Sequence, residues 1–296
     1  MNKIKLKSPA KINLFLEIMG KRQDGYHDLI TVFAKINVFD YISIEKTVSE
    51  GIKVNMKNNS NLRLKKSGDN IIHKTALRFF DEFKISPNVK IKFEKNIPVG
   101  AGLGGGSANS ATVLLGLCRI YGIDLKRNHK KLALIARSLG ADVPFFLSNS
   151  SFCIGRGIGD KLYPFKVKKK TYSIVLVYPG LPVSTEVAYS NLKLPSKKEV
   201  ALNNVKCLKL VRGLKAGKRL AEMRNLPMNR FEKAIFPKYS KIEKVKEKIM
   251  ALGADMAMMS GSGSSVFGVF SSTITAKRAA KLISSGKNRV FLTKFL

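Results

Sequence analysis

Pro98-Val-Gly-Ala-Gly-Leu-Gly-Gly-Gly-Ser-Ala-Asn109 runs a glycine-rich stretch directly into a segment of helical periodicity. Glycines let backbone N–H groups turn toward a ligand without Cβ obstruction, and a helix start adds unpaired amides and a positive dipole end. A phosphate group is the expected guest. Ala108, Ala111, Leu114 or Leu115, Cys118 and Tyr121 recur every three to four residues and Gly122 supplies a stop, so the spacing predicts a helix from about Ser107 to Tyr121. Gly100-Ala-Gly-Leu-Gly-Gly105 fits G-x-G-x-x-G, but the dinucleotide fold needs a buried parallel strand before that run and an acid ending a second strand after the helix. Instead Val89, Ile91 and Phe93 alternate with Lys90, Lys92 and Glu94, which reads as a half-exposed antiparallel strand. No G-x-x-x-x-G-K-[ST] occurs, which excludes a Walker loop.

The 296 residues, 45% hydrophobic, are enough for about two domains with sizeable cores. No apolar stretch reaches the roughly 18 residues of a membrane span, and Met1-Asn-Lys-Ile-Lys-Leu-Lys lacks the apolar core of a signal peptide. A cytoplasmic protein with no membrane partner is expected. Cys118, Cys153 and Cys207 lack paired spacing, and His27, His73 and His129 are scattered, so neither a disulfide framework nor a dedicated metal cage is indicated. The formal charge of +34 attracts polyanions. Its lysines and arginines are spread along the whole chain without interleaved aromatics, so a solvated basic surface is expected and no dedicated nucleic-acid partner. Oligomeric state has no sequence signal.

Along the chain, Ala10, Ile12, Leu14, Leu16 and Ile18 alternate with Lys11, Asn13, Phe15 and Glu17. This predicts a strand with one apolar face and with Lys11 and Asn13 together on the other. Further strands are expected at 30–39, 41–45, 52–56 and 89–93. A second helix is expected over 130–139, capped by Gly140, with Asp142 placed to start another. Gly155 to Asp160 reads as a tight turn between two strands. The basic patch from Lys166 to Lys170 marks a candidate border, giving domains 1–166 and 167–296. Beyond it the pattern predicts strands at 173–178, 256–259, 266–270 and 289–294, with helices around 242–252 and 276–284. The expected class is α+β, with helices on one side of a mostly antiparallel sheet.

Three segments, Pro9-Ala-Lys-Ile-Asn-Leu-Phe-Leu16, the Pro98–Asn109 run and Met259-Ser-Gly-Ser-Gly-Ser-Ser265, resemble the three signature motifs of the GHMP small-molecule kinases. The resemblance covers essentially the whole chain. It implies a two-domain GHMP kinase fold, with a ribosomal S5 domain 2-like N-terminal domain and a ferredoxin-like C-terminal domain. Gly20-Lys-Arg-Gln-Asp-Gly-Tyr-His-Asp-Leu29, Gly140-Ala-Asp-Val-Pro-Phe-Phe146 and Gly155-Arg-Gly-Ile-Gly-Asp160 narrow the resemblance to the branch that phosphorylates the 2-hydroxyl of 4-diphosphocytidyl-2-C-methyl-D-erythritol, in non-mevalonate isoprenoid biosynthesis.

The resemblance assigns roles. Asp142 matches the family's catalytic base and Lys11 the lysine beside it, which favours the carboxylate and stabilises developing charge. Pro98, Val99, Gly100, Ala101, Gly102, Leu103, Gly104, Gly105, Gly106, Ser107, Ala108 and Asn109 match the loop around the ATP phosphates, with Mg2+ delivered with ATP and Lys95 just upstream as a surface lysine able to reach the nucleotide. Asn13, Tyr26, His27, Thr185 and Tyr189 match positions around the cytidine diphosphate, where two aromatic faces sandwich the pyrimidine and His27 reads its edge. Asn229-Arg-Phe-Glu232 departs from the family in carrying an arginine where an acid often follows the asparagine. Two rivals remain on the residues alone: a GHMP kinase for homoserine or mevalonate, which has no pyrimidine for Tyr26 and His27 to read, and a non-catalytic RNA-binding protein, which has no use for Asp142.

Overall fold

The computed structural model of the chain describes residues 2–58, 70–168, 172–284 and 288–296. They form two compact units, Met1–Ala10 with Val38–Pro98 and Gly104–Asn149, and Lys11–Asn37 with Val99–Leu103 and Ser150–Leu296. Two long paired strands, β1 (Lys3–Lys21) and β2 (His27–Lys46), run through both. The sequence predicts two strands where β2 is continuous. Asp40 does not break it, because its fully buried carboxylate accepts hydrogen bonds from the Asn96 and Ile97 amides at 2.7 and 2.8 Å and pairs with Lys95.

In the first unit, β3 (Gly51–Asn58) and β4 (Asn88–Lys95) extend the sheet, and α1 (Ile71–Phe83), α2 (Gly105–Tyr121), α3 (His129–Leu139) and α4 (Val143–Leu147) follow the chain. β4 is antiparallel to β2, as its alternation predicts, and parallel to β3 along its other edge. Ile42, Ile44, Val89, Ile91 and Phe93 turn inward against Ile72, Phe79 and Phe80 of α1 and Val113, Leu114 and Leu117 of α2. Burial of this apolar face holds the helices on the sheet. The α1 helix, which the sequence reading does not identify, starts where the Asn70 side chain accepts from the Ile72 amide and ends at Lys84 in the left-handed region (φ 54°).

The second unit contains the hairpin β5 (Phe152–Arg156) and β6 (Lys161–Pro164), paired as predicted around Gly157 and Gly159 at φ 66° and 102°. It continues with β7 (Ser173–Tyr178), α5 (Thr185–Ser190), α6 (Lys197–Ala216), a 3-10 turn (Leu220–Met223), α7 (Glu232–Ile235), α8 (Ser240–Ala251), β8 (Met256–Met259), β9 (Val266–Phe270), α9 (Thr273–Ile283) and β10 (Arg289–Thr293). The sheet order is β10-β7-β9-β8, antiparallel throughout. In chain order that is 4-1-3-2, the ferredoxin-like arrangement. Between β7 and β8 the sequence predicts one helix with assignable bounds, whereas four α-helices lie there. The longest, α6, opens with a capping box in which Ser196 and Glu199 satisfy each other's amides. Lys169 and Lys170 of the basic patch lie outside the described residues.

Phe79 is fully buried and its ring meets those of Phe80, Phe83 and Tyr121 at centroid distances of 5.5, 4.9 and 6.0 Å. Phe79→Ala leaves a cavity among rigid rings, so chemical denaturation is expected to show a loss of about 3–5 kcal/mol.

Candidate active site

The inner segment of β1 has the apolar face expected, with Lys11 and Asn13 on the other, and that other face is buried as well. Both faces are buried from Ala10 to Ile18, so Lys11, Asn13 and Glu17 lie within the protein beside the apolar set. A buried polar group must be hydrogen-bonded to be tolerated. Lys11 Nζ donates to Asn13 Oδ1 at 2.7 Å, Asn13 Nδ2 donates to Thr31 Oγ1 at 2.8 Å, and Thr31 Oγ1 donates to the Phe15 carbonyl at 2.7 Å. This relay fixes which way the Asn13 amide faces. The Lys11 ammonium also stands 5.5 Å from the centre of the Phe33 ring.

Two loops of the same unit close on this strand. The Lys11 amide donates to the Leu103 carbonyl at 3.0 Å, and Ser265 N–H donates to the Ala101 carbonyl at 3.2 Å. Ser260 Oγ donates to the Gly102 carbonyl at 2.9 Å. Gly102 has φ 73°, and a Cβ there would collide with the Ser260 carbonyl oxygen. Gly261, at φ 56°, brings its backbone so close that a Cβ would stand 3.3 Å from Lys11 Nζ. Glycine is required at both positions for conformation and for approach.

Further out, Thr185 Oγ1 lies 3.2 Å from Ser262 Oγ. The His27 ring stacks on Tyr189 at 4.6 Å and 24°, and Tyr189 meets the Phe231 edge at 4.9 Å. Tyr26 is 61% exposed. Burial, then the Lys21 charge, holds the His27 imidazole below the ordinary histidine value.

In the first unit, Gly104 at φ 64° caps α2 without any side-chain hydrogen bond to the helix amides. Those amides therefore keep their donor capacity. Lys95 is not the surface residue expected from sequence. It is buried, pairs with Asp40 at 2.6 Å, and its ammonium stands 2.9 Å from where a Cβ on Gly105 would be. Asp40 thus places a cation beside the start of α2 and fixes the turn entering the glycine run. Ser107 Oγ is 3.7 Å from the Cβ position of Gly140, two residues before Asp142. Asp142 occupies the N-cap place of α4, but its side chain makes no capping bond to that helix. Asp40 and Thr31 escape the sequence reading because what singles them out is a partner far along the chain.

The first unit thus offers a glycine-capped helix start and the Asp142 carboxylate, and the second a buried lysine among glycine loops, residue types that phosphoryl transfer uses. The family profile described as GHMP kinases N terminal domain matches residues 70–150, and that described as GHMP kinases C terminal matches residues 208–286. The chain belongs to the GHMP kinase family and is an ATP-dependent small-molecule kinase. It is 38% identical over 278 residues to a protein of Syntrophotalea carbinolica named 4-diphosphocytidyl-2-C-methyl-D-erythritol kinase, an alignment spanning 94% of this chain and 93% of that one. A crystal structure of 4-(cytidine 5'-diphospho)-2C-methyl-D-erythritol kinase superposes with a TM-score of 0.77 at 31% identity, covering 99% of this chain and 100% of the other. Within its family the chain falls among these kinases. A homoserine kinase from Cytophaga hutchinsonii also gives a TM-score of 0.77, over 100% of this chain and 95% of that one, but at 18% identity it speaks for the fold alone. No helix among the described residues is long and apolar enough to cross a membrane.

Gly102→Ala is expected to part the two loops, lowering turnover at least tenfold while far-UV dichroism stays unchanged; steady-state kinetics beside the spectrum checks this. His27 is expected to titrate below 6.5 by NMR, and Lys21→Gln to raise the midpoint while leaving it below 6.5, since burial is the larger cause. A histidine whose folded pKa is depressed holds fewer protons folded than unfolded between the two values. Its contribution is therefore intact above 6.5 and lost as pH falls from 6.5 through the lower folded value.

Proposed function

We propose that this kinase transfers the γ-phosphoryl group of ATP to the 2-hydroxyl of 4-diphosphocytidyl-2-C-methyl-D-erythritol, giving the 2-phosphate and ADP, in the cytoplasm. The observation that carries this acceptor over homoserine or mevalonate is the His27–Tyr189 stack, in which two residues distant in sequence put ring faces together. A pyrimidine lying between Tyr26 and Tyr189 requires His27 to leave the Tyr189 face, freeing its imidazole for the edge of the base. Asn13 and Thr185 hydrogen-bond the remaining polar groups of the substrate.

Asp142 accepts the proton of the attacking hydroxyl, and Lys11 supplies positive charge where negative charge develops. Because the transition state of phosphoryl transfer is loose, alignment and neutralisation contribute more than proton removal. The segment from Pro98 to Asn109 and Lys95 hold the ATP phosphates, a fit supported by the positive φ of Gly100, Gly102 and Gly104 and by the uncapped start of α2. No group of three or more His, Cys, Asp or Glu side chains suited to a metal occurs among the described residues. The Ser107 hydroxyl would be the protein's contact to magnesium delivered with ATP, and the ion would supply neutralisation of the phosphate charge when bound. We assign ATP binding to residues 1–166 and the second domain to 167–296; the two family profiles fall on either side of that border. The general basicity needs no nucleic-acid partner in this reading.

ADP release with magnesium and ATP is expected with the cytidine diphosphate acceptor and not with homoserine or mevalonate. Asp142→Asn is expected to lower kcat by about 100- to 10,000-fold with the fold intact. Turnover with homoserine or mevalonate would remove the pyrimidine assignment. Absence of turnover with all three, together with tight and salt-sensitive RNA binding, would favour the non-catalytic alternative.

A further inference from the structure

The glycine and serine loop Ser260–Ser265 has little stiffness of its own, with Gly261 and Gly263 both at positive φ (56° and 87°). What holds it is a side chain outside the sequence motifs. Asn229, 4% exposed, donates through Nδ2 to the Met259 and Gly261 carbonyls, both at 2.8 Å, while its Oδ1 accepts from the Phe231 amide at 3.0 Å. A short carboxamide thus bridges the end of β8 to the second residue of the loop, and that residue is the one whose backbone closes on Lys11.

Asn229 is itself pinned to the strand that carries Lys11. The Leu16 amide donates to the Met228 carbonyl at 2.7 Å and the Arg230 amide to the Leu16 carbonyl at 2.8 Å, so the segment lies along β1 as a short parallel bridge. Arg230 then grips Glu17 in a bidentate pair, Nε to Oε1 and Nη2 to Oε2, both 2.6 Å. Glu17 is fully buried, and its remaining capacity is used by Asn203 Nδ2 and the Ile18 amide. Fork-on-fork pairing of guanidinium and carboxylate fixes relative orientation as well as distance. Glu17 and Lys11 are both odd-numbered residues on one face of the strand, so the clamp and the ammonium share a rigid element.

We propose that Asn229, locked by the buried Glu17–Arg230 pair, is a positioning residue for phosphoryl transfer: it sets the Ser260–Ser265 loop against Lys11 and Gly102. This rests on the catalytic reading above for its kinetic consequence and on geometry alone for its structural one. The arginine that departs from the family pattern at position 230 acquires a purpose here, because the acid it needs is supplied by Glu17 on β1.

The test compares Asn229→Leu, of similar volume but without donors, with Arg230→Lys, which keeps the charge and loses the fork. Hydrogen exchange of the amides of residues 261–265 and steady-state kinetics are measured on both. Asn229→Leu is expected to speed loop exchange at least tenfold and to lower kcat at least tenfold, with KM for ATP changed less than threefold. Arg230→Lys is expected to fall between it and the natural protein in both readouts. Unchanged loop exchange in folded Asn229→Leu would overturn the proposal, as would a loss of kcat accompanied by an equal rise in KM for ATP. Should Asn229→Leu fail to fold, Arg230→Lys and Glu17→Gln decide by the same criteria. If the natural protein does not phosphorylate the acceptor, the functional reading fails while loop exchange still judges the clamp.

Discussion

Two charged side chains on one buried face of a strand organise this molecule. Lys11 and Glu17 lie six residues apart on β1, and neither is solvated. Taking an ammonium or a carboxylate out of water costs several kcal/mol unless compensating groups are built around it. Around Lys11 the compensation is the Asn13 carboxamide, itself oriented by Thr31. Around Glu17 it is the Arg230 fork, Asn203 and a backbone amide. Asn13 and Arg230 are themselves fixed by second contacts, to Thr31 and to the Leu16 carbonyl, so the strand cannot slip or rotate without leaving a charge unpaired.

The glycines express a related constraint at the backbone. A lysine ammonium and a phosphate can be approached closely only by main chain without a Cβ, and Gly102 and Gly261 supply that where two loops meet. The cost of such glycines is lost stiffness. Hydrogen bonds from Ser260, Ser265 and Asn229 restore it, turning a sequence that reads as a turn into a fixed wall. In the other unit the start of α2 is left without a side-chain cap while Lys95, neutralised in part by Asp40, stands beside it. An uncapped helix start with a tethered cation beside it has the electrostatics that favour an anion.

What the sequence discloses and what it hides divide along the range of the interactions. The alternation of β1, the periodicity of α2 up to Gly122 and the hairpin at Gly157 and Gly159 are local and were legible. The four strands of the C-terminal sheet are local in the same way, whereas their 4-1-3-2 order comes only with the family resemblance. The α6 helix was legible in principle, since Ser196 and Glu199 spell a capping box, yet its many lysines mask its apolar stripe. The burial of Lys95 was not legible, because Asp40 lies on a different strand and a lysine in so basic a chain carries no mark of its surroundings. The same holds for Arg230, a departure from the family pattern whose acid partner, Glu17, lies 213 residues away in the chain. Motifs mark where chemistry happens; the groups that hold it in place are paired over distances that spacing does not encode.

The central claim, phosphorylation at the 2-hydroxyl, is tested most directly by phosphorus NMR of the product formed from ATP and the cytidine diphosphate acceptor. Carbon 2 of the methylerythritol bears the methyl group and no hydrogen. The account predicts one new phosphomonoester signal that stays a singlet without proton decoupling, alongside an unaltered diphosphate pair. A doublet or triplet would place the phosphoryl group on another hydroxyl and contradict it, and no monoester signal from folded, magnesium-replete protein would contradict the kinase assignment for this acceptor.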